Sequence, residues 1–567
     1  MRSDHLLSHK ASGSVLTVFR QHTPEKCVVL TATAVVADQL LLKTVLSLQQ
    51  WPQNCIRSHV SANRKAGWDC PNDVVKALEH RPRPLRQDCS AMLVAEVQPN
   101  PWMVAPFVAL LAAIALAPVF FGNWWGRHYG KVALGLGAIT LLYYAGGLHA
   151  QARTLHTASE YISFVCLIGS LYVVSGGIHI RVRGEATPGV NVVFLLAGAL
   201  AANLLGTTGA SMLLIRPWLR MNKYRLTAHH IVFFIFVVSN VGGCLTPVGD
   251  PPLFLGYLKG LPFWWFAANC WPMWIVGVGL LLLMFYVMDT INFRRAPLAI
   301  RRMETAHEEW RFDGLSNLFF LAVILVATLI NRPPFVREAL MAGAATASYF
   351  TTGKAVHDSN DFNFHPIKEV AILFAGIFAT MMPALDWLQA NASHLGHPGP
   401  AVFFWGSGTL SSVLDNAPTF LTFLSADLGA FMPPDTAAAA LAAIKAHGAE
   451  LVAAASGPGT EQFCAAMAAL HAHYPAALSR GSVTVEQVQM ALALADPLQI
   501  KCLRAISIGS VFFGANTYIG NGPNFMVKAI ADQQKAHTPT FPAYVFKFTL
   551  PFMLPMLAVV WLLFFRT

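Results

Sequence analysis

The sequence predicts an all-α polytopic membrane protein made of two inverted-topology repeats, each with five crossings, a re-entrant hairpin and a broken helix. Three observations predict it. The chain of 567 residues is 55% hydrophobic and only 12% charged, where soluble chains carry about 25% charged residues. It contains several apolar runs of roughly 18 to 25 residues, and about 20 residues in a helix cross the hydrocarbon core of a bilayer. Two of those runs are interrupted by the same glycine- and proline-rich motif, "GCLTPVGDPP" from Gly243 and "GANTYIGNGP" from Gly514. In such a chain the net charge of +10 is not a nucleic-acid signal, because Lys and Arg gather in cytoplasmic loops. The nine cysteines lack CxxC spacing and no His/Cys cluster has zinc-ligand spacing, so no cofactor or structural metal is expected.

In chain order, residues 1–91 show no span. Their best apolar run, "VVLTATAVVADQLLLKTVLSL", carries Asp38 and Lys43, costly at a bilayer centre. Nor is there a basic tip followed at once by an apolar core, as a signal peptide requires. Translation is expected to begin near Met92, making 1–91 an extension outside the fold; a disordered cytoplasmic tail is the alternative. Crossings are expected near 102–121, 131–148, 159–177, 229–258 and 263–288, then 315–332, 335–352, 369–388, 501–530 and 543–565. Between the third and fourth of each set lies an apolar segment broken at its middle: 189–221 at "GTTGAS" and 399–428 at "LDNAPT". The first repeat is thus 92–290, a cytoplasmic linker is 291–314, and the second repeat is 315–567, with an Ala-rich insertion at about 431–495.

The two sets correspond in order. "ALGLGAITLLYYAGG" from Ala133 matches "ALMAGAATASYFTTG" from Ala339, and "PGVNVVFLLAGAL" from Pro188 matches "PGPAVFFWGSGTL" from Pro398. The third pair equates Ser239/Ser510, Gly243/Gly514, Thr246/Thr517, Gly249/Gly520, Pro252/Pro523 and Phe254/Phe525. Five crossings is an odd number, so the second half must be inserted upside down. Loops after the first, third and fifth crossings carry Arg127, Lys131, Arg181, Arg183, Arg216, Arg220, Lys223, Arg225, Arg294, Arg295, Arg301 and Arg302. The other side carries little beyond Arg153, Lys259 and Arg332. The positive-inside rule then puts the first group in the cytoplasm, and both ends of the core and the insertion outside.

Irregular backbone at membrane depth is tolerated only where it is buried or lines a watery cavity. Inverted repeats with broken helices mark secondary transporters with a site at the midplane. Glycine permits the irregular backbone and proline keeps the helix from healing, so freed carbonyls and helix ends can replace an ion's hydration shell. Carboxylates there are candidates for ion ligands or proton carriers: Asp250 in the first broken helix, and Asp415 beside Asn416 at the second hairpin break. For both, helix capping is the competing role. Glu160 and Glu369 begin the third crossing of each half and are possible proton relays, or else solvated interfacial groups. His229 and His230 fall at a span end and are expected to be solvated. Two acids with only Arg216 nearby favour a small cation that competes with protons. A carboxylate substrate would instead need helix N-termini or bound sodium as counter-charge.

"NLLGTTGASMLLIRPWLRMN", "SNVGGCLTPVGDPPLFLGYLKG", "FNFHPIKEVAILFAGIFATM", "SSVLDNAPTFLTF" and "GANTYIGNGPNFMVKAIA" resemble the NhaD-type sodium/proton antiporters of the ion transporter superfamily. Relatives of such sequences also carry the label of citrate transporters. The resemblance, over about 100–565, implies a homodimer in the bacterial inner membrane, surrounded by lipid, exchanging Na⁺ (or Li⁺) for H⁺. It implies cation ligands at Thr207, Thr208, Ser211, Thr246 and Asp250, and at Asp415, Asn416, Thr419, Thr517 and Asn521. Carboxylate carriers of the superfamily present Ser-Asn-Thr at their hairpin tips. Here the tips read Gly-Thr-Thr and Asp-Asn-Ala, which leaves sodium-coupled citrate or dicarboxylate uptake as the alternative. No nucleophile–base pair or phosphate loop suggests an enzyme.

Overall fold

The computed structural model describes residues 99–566 apart from 182–185, 299–310, 331–332, 361, 392–397, 432–440, 442–467 and 480–482, together with Lys10–Ala11 and Ser14–Val15. The chain divides between Cys89 and Ser90 into two units. In the first, β1 (Lys10–Ala11) pairs antiparallel with β2 (Ser14–Val15); the rest of the expected extension lies outside the described residues.

Among its described residues, the regular structure of the second unit is helical apart from one ribbon, β3 (His179–Arg181) against β4 (Arg311–Asp313). A 3-10 turn at Pro101–Val104 leads into α1 (Ala105–Phe120), followed by α2 (Gly122–Leu142) and α3 (Gln151–Gly176). Then come α4 (Pro188–Met221), α5 (Ala228–Val237), α6 (Pro251–Leu258) and α7 (Trp265–Arg295). The second set begins with α8 (Asn317–Thr328), α9 (Val336–Thr351), the short α10 (Lys354–Ser359) and α11 (His365–Asn391), followed by α12 (Pro400–Ser411) and α13 (Asn416–Phe431). After the insertion helices α14 (Pro475–Ser479) and α15 (Val485–Ala495) come α16 (Pro497–Phe513), α17 (Gly522–Gln533) and α18 (Phe541–Phe564). Among the described residues, seven helices are long and apolar enough to cross a membrane.

Both segments expected to turn back do so. Gly206 (φ 73°, ψ 155°) occupies a backbone region open essentially to glycine, and it reverses α4. The two arms then meet: Asn191 Nδ2 donates to Asn222 Oδ1 at 2.8 Å, and Phe194 stacks on Trp218 with centroids 5.4 Å apart. The break is narrower than "GTTGAS" suggested, because Thr207 onward is helical. In the second hairpin α12 and α13 fold together, with Phe403 against Phe423.

Helices matched in sequence pack crosswise: α2 lies on α11, and α9 on α3. The α2–α11 approach is close enough that a methyl on Gly376 would meet the Ala133 carbonyl oxygen at 2.7 Å, the small-residue packing that membrane helices favour. The loops gather at two ends. At one, Arg153 pairs with Asp386 (2.9 Å), Lys259 with Glu160 (2.6 Å), and Tyr474 of the insertion donates to the Gly260 carbonyl. At the other, His179 meets Asn360, and Asn317 donates to Gly177 O and Thr352 Oγ1.

Several expectations need correction. Arg153 belongs to α3, which starts at Gln151, while Arg127 and Lys131 lie on α2; none of the three is a loop residue. His229 and His230 are not solvated: both are buried, His230 completely. They face Asp289 with Nε2–Oδ1 distances of 3.4 and 3.0 Å. Arg225 also binds Asp289 and is itself buried. Two imidazoles and a carboxylate resemble a metal triad, but Asp289 already carries a guanidinium, whose charge repels a cation. The cluster works as an ion-pair clasp tying α5 and α7 to the foot of the first hairpin through Asn191 Nδ2, 2.9 Å from Asp289 Oδ2. An apolar span start hid it, since the partner lies about sixty residues on.

Candidate functional site

The site is assembled where four helices start. The second arm of α4 begins at Thr207, α6 is preceded by Asp250, α13 opens at Asn416, and α17 is preceded by Asn521. These four side chains meet. Asp250 is fully buried; its Oδ1 accepts from Thr207 Oγ1 at 2.8 Å and from Asn521 Nδ2 at 3.4 Å, and its Oδ2 accepts from Asn416 Nδ2 at 2.8 Å. The competing role falls away for this residue, because its side chain makes no capping bond to α6. All three donors are neutral, so the carboxylate has no ion-pair partner among them.

The cost of burying that charge is several kcal/mol. Each helix N-terminus returns about 0.3–1 kcal/mol, and each hydrogen bond to a charged group about 1.5–3 kcal/mol. Together these are of the right order to hold an ionised Asp250 inside the protein without a cationic residue.

Around this centre the two breaks share a construction. In each, a 3-10 turn (Val241–Gly243, Gly514–Asn516) is followed by a threonine that ties the break to a hairpin. Thr246 Oγ1 donates to Asn203 O, and Thr517 Oγ1 to Ser412 O, each at 2.6 Å. The same oxygens accept from Gly249 N (3.1 Å) and Gly520 N (3.0 Å). The glycines are required by close approach: a methyl on Gly249 would lie 2.1 Å from Gly243 O, and one on Gly520 2.6 Å from Gly514 O.

The remaining predicted residues sit at different distances from the chemistry. Ser211 bonds Ser239 (2.8 Å), whose carbonyl accepts from Asn521. Thr208 lines a cavity of about 20 Å³ beside the first hairpin tip, walled by Phe164, Leu171, Tyr172 and Pro247; that is room for about one water. Asp415 accepts from Ala417 N at 3.2 Å and also faces the backbone N–H of Gly522 at the start of α17, while Thr419 bonds only the Asp415 carbonyl one turn back. Thr246 and Thr517 brace the breaks. Glu160 is buried against Lys259, one turn from Phe164 of the cavity wall. Glu369 is half-buried near the start of α11, and neither glutamate bonds a residue of the centre.

Residues not singled out from the sequence complete the site. Asn203 spans the first break, donating to Gly242 O and accepting from Leu245 N. Asn524 does the same for the second, donating to Gly514 O and Thr517 O. Asn240 links the two breaks, donating to Asn524 Oδ1 and accepting from Asn521. Ser411 donates to Asn416 Oδ1 (2.7 Å) and orients its amide toward Asp250. Asparagines inside apolar runs were the available signal.

Spanning helices, two hairpins and two broken helices meeting at a buried carboxylate define an all-α multi-pass membrane protein of transporter type. The chain belongs to the family described as "Putative citrate transport", whose model matches residues 96–565. That is a family of transporters rather than enzymes. Among curated proteins, none matches the sequence.

Proposed function

We propose that this chain is a secondary transporter that exchanges Na⁺ (or Li⁺) for H⁺ across the bacterial cytoplasmic membrane by alternating access, working as an NhaD-like homodimer. The observation that carries the reading is Asp250, a buried carboxylate joined by neutral donors from both hairpins and the second broken helix. A cation and a proton compete for it: protonation discharges the carboxylate and releases the cation, and deprotonation recruits the next. Thr207, Asn416 and Asn521 hold the carboxylate in place, and Asp415 adds a second negative charge nearby. The hairpin-and-broken-helix unit would move against α2, α3, α9 and α11, exposing the centre alternately to the two ends.

Sodium-coupled uptake of citrate or a related carboxylate is the second reading, favoured by the family description and by the convergence of four helix N-termini. Against it, Asp250 already occupies that positive focus.

The deciding experiment uses everted vesicles from an antiporter-deficient host, with an imposed proton gradient reported by a pH-sensitive dye. Collapse of the gradient on adding NaCl or LiCl, absent in Asp250→Asn, is the expected result. Silence toward every salt, with labelled citrate accumulating only with sodium in right-side-out vesicles, would overturn the antiport reading. Asp415→Asn in the same assay separates a carrier from a cap: unchanged exchange assigns Asp415 to capping alone.

A further inference from the structure

Far from the centre, a second buried carboxylate has no partner. Asp427 lies on α13, four residues before Phe431, fully buried, and neither of its oxygens makes a hydrogen bond. Asn416, which holds Asp250, is eleven residues earlier on the same helix, about 16 Å away at 1.5 Å per residue. The helix α16 packs on α13, and Asp496, Gln499 and Cys502 follow one another on it at intervals of three, along one face. Gln499 is 1% exposed, and both its Oε1 and its Nε2 are also without a partner. Asp427 and Asp496 both act electrostatically on the Cys502 thiol, and Asp496 acts on Asp427. Asp427 and Gln499 are thus buried, unpartnered polar groups on two helices that pack together.

Two orphaned polar groups on facing helices are an unusual economy. A buried polar group without a hydrogen bond costs about 1–3 kcal/mol, and an unpaired buried carboxylate costs more. Protonating Asp427 would not resolve this, since its hydroxyl and carbonyl, and the whole Gln499 amide, would still lack partners. The surroundings are also the wrong sign for a bare carboxylate, because a second acid, Asp496, stands at the start of the neighbouring helix α16. On the other side Asp496 is exposed and caps α16, accepting from Leu498 N at 2.8 Å.

We infer that Asp427 and Gln499 form a second site for an alkali cation of the Na⁺ class, entered past Asp496 and completed by water. The donors are hard oxygens, which suit such ions and not soft metals. A cation there satisfies both Asp427 oxygens and Gln499 Oε1, and its bound water accepts from Gln499 Nε2. The inference does not depend on whether Asp250 carries a cation.

The test is equilibrium binding of ²²Na⁺ to the purified full-length protein in detergent, at constant ionic strength made up with choline. Asp250→Asn is the background, so that the centre cannot contribute. Expected are one saturable ²²Na⁺ site per protomer in Asp250→Asn, its loss on adding Asp427→Asn, and at least about tenfold weaker binding on adding Gln499→Leu. Sodium should also raise the thermal unfolding midpoint of Asp250→Asn but not of the double variant with Asp427→Asn. The inference fails if Asp250→Asn binds no sodium, or if it binds equally well with and without Asp427. Should Asp427→Asn not run as a single species on gel filtration, Gln499→Leu decides alone, since it changes no charge. Failure of the antiport reading would appear elsewhere, as transport insensitive to Asp250.

Discussion

The two broken helices are built alike and charged differently. Both use a 3-10 turn, a threonine tied at 2.6 Å to the hairpin that precedes it in the chain, and a glycine closing on a carbonyl six residues back. Yet the position preceding the second helix of each break is Asp250 in the first and Asn521 in the second. Two breaks of common design supply the geometry, and one of them supplies the charge. The amide completes the other's carboxylate, so a pair of similar frames yields a single ionisable centre rather than two mutually repelling ones. Like carboxylates side by side would each disfavour ionisation of the other.

The sharpest way to break this comparison is to make the breaks chemically equal. Asp250→Asn should reduce cation-dependent proton movement at least about 100-fold, roughly 2.7 kcal/mol. Adding Asn521→Asp should not restore it, because a carboxylate there would face the Ser239 carbonyl that Asn521 now donates to. Recovery in the swapped variant would show that only the presence of charge matters, not which break carries it.

Next in size are the two closing glycines. Gly249→Ala and Gly520→Ala each force a methyl against a backbone carbonyl, at 2.1 and 2.6 Å. Losses of about 1–3 kcal/mol are expected, larger for Gly249, read as a fall in the thermal unfolding midpoint. Equal or negligible losses would mean that the loops relax independently of those contacts.

Asn524→Leu makes the second break resemble the first, where the matching residue is Leu253. It strips the donor from Gly514 O and Thr517 O and the acceptor from Asn240. A cost of about 1–3 kcal/mol is expected for orphaned buried groups, with Leu253→Asn failing to compensate. The smallest effect belongs to Thr246→Val and Thr517→Val, about 1 kcal/mol each for the hydrogen bonds lost. If the frames are alike the two should agree within about 0.5 kcal/mol, and a clear inequality would show that one hairpin is held more tightly than the other.

Much of this was legible along the chain. The glycine, threonine and proline spacing located both breaks, and Gly-Thr-Thr and Asp-Asn-Ala located both hairpin tips. Each sits at a backbone irregularity, which leaves a local mark in residue type. Asp250 and its neighbourhood are marked by the breaks themselves, and Thr207, Asn416 and Asn521 are implied as ligands by the family resemblance. What the sequence hid was partnership. Asp250 and Asp415 read alike in the sequence, and only the fold separates a carboxylate held by side chains from both hairpins and α17 from one turned to the backbone N–H groups of Ala417 and Gly522. His229, His230 and Arg225 looked like solvated loop chemistry, because their common partner, Asp289, sits at the far end of an apolar helix. Asn203, Asn240 and Asn524 read as single polar residues in apolar runs, though each bridges segments distant along the chain.

By itself, then, the sequence determined the solvent the protein folds in, its helical class, and the places where the backbone must depart from helix. Those properties follow from local composition, from the length of apolar runs, and from glycine and proline acting on their own backbone. Tertiary structure decided which breaks face each other, which acid accepts from both hairpins, and which polar groups are left unpartnered on the packed helices α13 and α16. These depend on contacts between residues 43 to 271 positions apart. No periodicity encodes such contacts, since they come from the packing of whole helices and not from any one of them.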